Sequence, residues 1–215
     1  ETGREWGIRV GLSLLLAVVV TWPMVLSPVS AVVGHPEASV GCHIWVLWWA
    51  QHHLGDLHST MIFAPYGADV VQLYGSDLLS PLLLGMLPLP PALLYNLLVL
   101  ALLTAGGVGA GWLARVAGAS AGGAVVATAV FATAPFFQHE LLNGTSELLA
   151  AAVLPWFLGA LLRCVATPTV RWGAAVGLSA GIGIALSAYN PFFLVLLLTL
   201  VAVSYTHLTL PTKWW

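Results

Sequence analysis

The chain has 215 residues, 60% of them hydrophobic and 7% charged, with a formal net charge of −2. A soluble domain carries about 25% charged residues, so this chain cannot cover a water-facing surface, and a mean hydropathy of +0.96 makes lipid its natural solvent. It has no basic run, which excludes nucleic acid as a partner, and its two cysteines, Cys42 and Cys164, support no disulfide framework.

A membrane-spanning helix needs roughly 20 apolar residues, and the chain supplies about five such runs and part of a sixth. The first covers 7–26, interrupted only by Arg9, which lies near enough to the end to snorkel. A mixed segment, 27–90, follows. Within it, 39–54 is predicted to be helical, with Trp45, Trp48, Trp49 and His52 falling near i, i+3, i+4 and i+7. Tryptophan favours the headgroup region, so this helix is expected to lie in the membrane plane. The stretch 62–67 reads as a turn leading to a second short helix at 76–86, before the break at Pro88, Pro90 and Pro91. Further spans are expected at 91–115 and 121–137, with a polar stretch, 138–147, breaking the apolar pattern. Two more follow at 148–162 and 173–188, and a sixth begins at Phe192. Gly107 and Gly111, and Gly173, Gly177 and Gly181, repeat every four residues and are expected to let helix backbones approach closely.

The fold class expected is therefore all-α: a polytopic membrane helix bundle with a helical first outer loop. Orientation comes from the charges. Arg4, Arg9, Arg115, Arg163 and Arg171 all fall on one side of these spans, which the positive-inside rule makes cytoplasmic, together with the N-terminus. Glu37, Asp56, Asp69, Asp77, Glu140 and Glu147 fall on the other side, with His35, His43, His52, His53, His58 and His139.

The string VSYTHLTLPT (203–212) resembles the translation of a transposase-end adapter used in short-read DNA libraries. On that reading 1–202 is a transmembrane domain, 203–215 is an adapter-derived scar, and the sixth span is severed. The segment 192–202 makes only about half the length of a ~30 Å hydrocarbon core.

Carboxylates and imidazoles gathered at one membrane face can act as general bases or hold a divalent cation beside a phosphate. Glu37 sits where the chain leaves the first span and could reach a substrate at the bilayer surface. His52 and Asp56 have i, i+4 spacing and could share a cation. His139 and Glu147 bracket the second outer loop, and a carboxylate at a helix N-terminus such as Glu147 is also favoured by the helix dipole. Asp69 and Asp77 read as loop or cap residues.

Four stretches, HPEASVGCHIWVLWWAQHHL (35–54), IFAPYGADV (62–70), LLYNLLVL (93–100) and NGTSELLAAAVLPWFL (143–158), resemble bacterial multi-span proteins of the C-type (GT-C) glycosyltransferase superfamily. The resemblance implies sugar transfer from a polyprenyl-phosphate carrier at the non-cytoplasmic face of the bacterial inner membrane. It assigns Glu37 as the catalytic acidic residue of the first outer loop, with His35, His43, His139 and Glu147 as substrate-binding residues and a divalent cation as a possible cofactor. Relatives often carry an aspartate just before the Trp-rich helix, where this chain has Ser39. The alternative is a non-catalytic membrane assembly or lipid-binding protein. A transporter fits less well, because the spans carry almost no polar residues at mid-depth.

Overall fold

The computed structural model describes residues 2–35, 37–53, 56, 58–70, 77 and 79–209, with the backbone alone for 207–209. The described chain is almost entirely helical. Its only strands are the two-residue pair β1 (His58–Ser59) and β2 (Ala68–Asp69), antiparallel with His58 opposite Asp69.

Helix α1 (Gly3–Val20) starts at Thr2, whose hydroxyl accepts from the Glu5 N–H. It is shorter than the apolar run 7–26, because the chain turns at Thr21 and makes a 3-10 turn at Met24–Leu26. Helix α2 (Val40–His52) is the helix expected at 39–54, and α3 (Leu79–Leu84) is the short one expected at 76–86. Ser76 lies outside the described residues. Helix α4 (Pro91–Val116) begins with proline in its first turn, where the missing N–H has no intrahelical partner to lose.

Helices α5 (Ala121–Ala132) and α6 (Pro135–Asn143) differ from expectation. The helix does not stop at Phe137; it breaks before Pro135 and then continues through the polar stretch to Asn143. That stretch is amphipathic: Phe137, Glu140 and Leu141 are buried while His139, Leu142 and Asn143 are exposed. Gly144, at φ +66°, ends α6 in the left-handed conformation. After α7 (Ser146–Leu149) a 3-10 segment, Ala150–Val153, leads into α8 (Leu154–Ala166). Pro155 has no N–H to donate back along the helix, which accounts for the tightened turn before it. Helices α9 (Val170–Leu186) and α10 (Asn190–Thr209) complete the chain, α10 passing through residue 203 without a break.

Among the described residues, three helical stretches are long and apolar enough to cross a membrane: Pro91–Val116, Ala121–Asn143 and Ser146–Ala166. Val170–Leu186 and Asn190–Thr206 are apolar but shorter, and α1 carries Arg4, Glu5 and Arg9.

Helix α4 is the hub, and glycine is the reason. A Cβ at Gly107 would overlap Ser13 of α1, and one at Gly111 would overlap Thr128 of α5 and Arg9 of α1. The Ser13 hydroxyl donates to the Thr104 carbonyl at 2.9 Å across this contact. Gly106 and Gly109 admit Phe131 and Trp156 in the same way, and Gly159 of α8 admits Trp112. The second glycine stripe behaves otherwise. Gly173, Gly177 and Gly181 have nothing within 4 Å of a Cβ position, so no close helix contact forms there among the described residues.

Aromatic stacking ties four helices at one end. Trp6 of α1 lies 6.2 Å from Trp156 of α8, which lies 5.5 Å from Trp112 of α4, and Trp112 lies 6.4 Å from Trp172 of α9. The Arg9 guanidinium sits 4.7 Å over Trp6 and that of Arg171 5.5 Å over Trp172. With Arg115 4.0 Å from Glu5, these contacts bring the arginine-bearing helix ends together.

Candidate functional site

The site lies at the opposite end, where the segment after α1 docks on the turn after α6. The His35 N–H donates to the Leu142 carbonyl at 2.9 Å and the Ser39 N–H to the Asn143 carbonyl at 3.1 Å. The approach is so close that a Cβ on Gly144 would lie 2.6–2.9 Å from the Val40 backbone and Cβ. The two loops expected to face each other across the bundle mouth are therefore in direct contact.

This docking sets His43, one turn into α2, against Glu147 in the first turn of α7. His43 Nε2 lies 2.9 Å from Glu147 Oε2, with side chains 13% and 14% exposed. Oε2 receives no N–H in good geometry, so the contact is a close polar approach rather than an aligned hydrogen bond. The His43 ring stacks on Tyr95 of α4 at 6.3 Å and 25°. Asp77 caps α3, its Oδ1 accepting from the Ser80 N–H at 3.1 Å.

His43, Asp77, Ser80, Tyr95 and Ser146 share the walls of one cavity of about 10 Å³, room for about one water molecule. Burial raises the Asp77 pKa above the usual carboxylate range. The Ser80 hydroxyl and N–H and the His43 charge oppose the rise, and the Glu147 charge adds to it.

Of the residues singled out in the sequence, His43 and Glu147 are thus joined across the two loops, and His58 and Asp69 pair separately, Nδ1 3.2 Å from Oδ1. Glu37 is exposed, its N–H donating to His35 Nδ1 at 3.2 Å, and it does not line the cavity. His35 is exposed on the same turn. His139 is exposed on α6, with Nε2 3.0 Å from Asn143 Nδ2. His52 stacks on Trp48 at 5.0 Å and places Nδ1 2.8 Å from the Trp48 carbonyl, while Asp56 Oδ1 accepts from the His58 N–H at 3.1 Å. Both are engaged locally. No three His, Cys, Asp or Glu side chains among the described residues converge to hold a metal, so the donor set for the divalent cation that the resemblance allows is lacking there.

Trp49 also differs from a headgroup anchor. It is 6% exposed, packs with Val46 and Val70, and donates Nε1–H to the Asp56 carbonyl at 2.9 Å. Two cavity residues carried no functional signal in the sequence. Tyr95 and Ser146 look there like helix-start residues, since their burial comes from α2 folding over them.

What the arrangement can do is move a proton. A neutral imidazole beside a carboxylate accepts one readily, because the imidazolium that forms is held by the negative charge. No protein-family model matches this chain, and no curated protein or solved structure matches it.

Proposed function

We propose that the chain is a bacterial inner-membrane glycosyltransferase built as a bundle of membrane-spanning helices. Its arginine end faces the cytoplasm, and its His43–Glu147 end works on a polyprenyl-phosphate sugar at the far face. The observation that carries this reading is the partly buried His43–Glu147 pair with Asp77 beside it. It is an acid–base centre at the end of the bundle rather than at mid-depth, where a transporter needs its polar groups.

In the reaction, His43 takes the proton of an acceptor hydroxyl while Glu147 balances the imidazolium. The acceptor oxygen bonds to the sugar C1 as the bond from C1 to the phosphate oxygen breaks, and the electron pair leaves with the polyprenyl phosphate. Base duty suits His43 better than Glu37, which is exposed at the rim. Glu37 and His35 at the rim, with His139, then contact the acceptor.

One observation favours a second reading. A cavity with room for one water does not admit a sugar, which suits a non-catalytic lipid-binding or assembly protein. The test is transfer from labelled polyprenyl-phosphate sugars by the reconstituted protein. The catalytic reading expects transfer that falls on the order of 100-fold in His43→Gln and much less in Glu37→Gln. Donor binding without transfer supports the second reading. Transfer unaffected by His43→Gln removes the proposed base.

A further inference from the structure

The cavity beside His43 has a property that neither reading of function uses. Two of its walls are hydroxyls that are almost wholly buried, Tyr95 at 1% exposure and Ser146 at 2%. Neither Tyr95 Oη nor Ser146 Oγ has a hydrogen-bond partner among the described residues. Leaving a buried hydroxyl unpaired costs about 1–3 kcal/mol, and two such groups facing one small space call for a shared partner. The space, about 10 Å³, suits a single water, which typically makes about three hydrogen bonds to buried polar groups.

The third wall is Asp77, 8% exposed, with the Ser80 hydroxyl next to it. His43 closes the fourth side and carries Glu147 behind it. We propose that one water molecule bound in this cavity links the Asp77 carboxyl to the Tyr95 and Ser146 hydroxyls, so that Asp77, His43 and Glu147 exchange a single proton as one unit.

The charges agree. The ionisable groups facing Asp77 are His43 from α2, Tyr95 from α4 and Glu147 from α7; the remaining lining residues are Val46, Leu47, Ser80, Pro81, Leu98 and Ser146. Two carboxylates and one imidazole gather charge around one small space, and a proton held within the set reduces it. Burial already favours the neutral form of Asp77. In a coupled set of this kind the proton belongs to the group rather than to one residue. The inference concerns proton chemistry only and stands or falls independently of sugar transfer.

The test uses the whole chain in lipid nanodiscs, with infrared absorption of protonated carboxyl groups and ¹⁵N resonances of His43 followed against pH. The expected result is a protonated-carboxyl band that persists to higher pH than that of a free aspartate and disappears in Asp77→Asn. Tyr95→Phe and Ser146→Ala each remove one hydroxyl and little volume. Each should shift the frequency of that band and move the His43 titration midpoint. A wild-type protein whose Asp77-dependent band is lost at the pH of a free aspartate would overturn the proposal. So would folded Tyr95→Phe and Ser146→Ala proteins in which band and midpoint both stay put.

Discussion

Replacing Gly144 with alanine tests how the site is assembled. Gly144 has φ +66°, and a Cβ there would meet the Val40 nitrogen at 2.6 Å, its Cβ at 2.7 Å and its Cα at 2.9 Å. An L-residue in left-handed conformation costs roughly 1–2 kcal/mol, and overpacking of this kind costs typically 1–3 kcal/mol. Together they make about 2–5 kcal/mol. Because two of the opposing atoms are backbone, relief requires the start of α2 to move, and His43 moves with it. Gly118 is the control: it has φ +92° and nothing within 4 Å of a Cβ, so Gly118→Ala carries only the backbone cost. Thermal unfolding of the purified proteins, followed by tryptophan fluorescence, should place Gly144→Ala well below Gly118→Ala. The gap corresponds to about 1–3 kcal/mol, the overpacking share. The His43 ¹⁵N resonances should change in Gly144→Ala alone. Equal stability in the two variants, with unchanged His43 resonances, would refute the claim that this contact builds the site.

The raised pKa of Asp77 gives stability a definite pH dependence. The folded state holds the proton more tightly than the unfolded chain, so the contribution of Asp77 is greatest below the ordinary value of 3.8. It is lost as pH rises from there through the raised folded value. Thermal midpoints measured against pH should fall across that window in the wild type and flatten in Asp77→Asn. The open stripe on α9 predicts the opposite of a packing defect. Gly173→Ala, Gly177→Ala and Gly181→Ala meet nothing within 4 Å, so each should stabilise the helix by about 0.5–1 kcal/mol. By contrast, Gly107→Ala, forced against Ser13, should lower the thermal midpoint.

The legible parts of this protein were the local ones. Apolar run length and the proline break before residue 91 foretold where helices lie, and the tryptophan periodicity foretold α2 within two residues at either end. The misreadings have physical causes. The stretch 138–143 is polar enough to suggest a break, yet its buried residues Phe137, Glu140 and Leu141 fall on one helical face, and Gly144 rather than Gln138 ends the helix. Gly107 and Gly173 belong to similar four-residue repeats, but only the first has a helix against it. Repeat spacing records the capacity for close packing, and the neighbour is supplied by the rest of the chain.

That most acids and histidines lie between the apolar runs is legible in the sequence itself. Which of them meet could not be read that way. Glu37 and His43 lie on the same loop, and Glu147 is more than a hundred residues from both. Only the docking of residues 35–39 on the turn at Gly144 brings His43 to Glu147, and leaves Glu37 at the rim. That contact depends on two backbone hydrogen bonds and one missing side chain, a long-range fit of shapes that periodicity and composition do not encode.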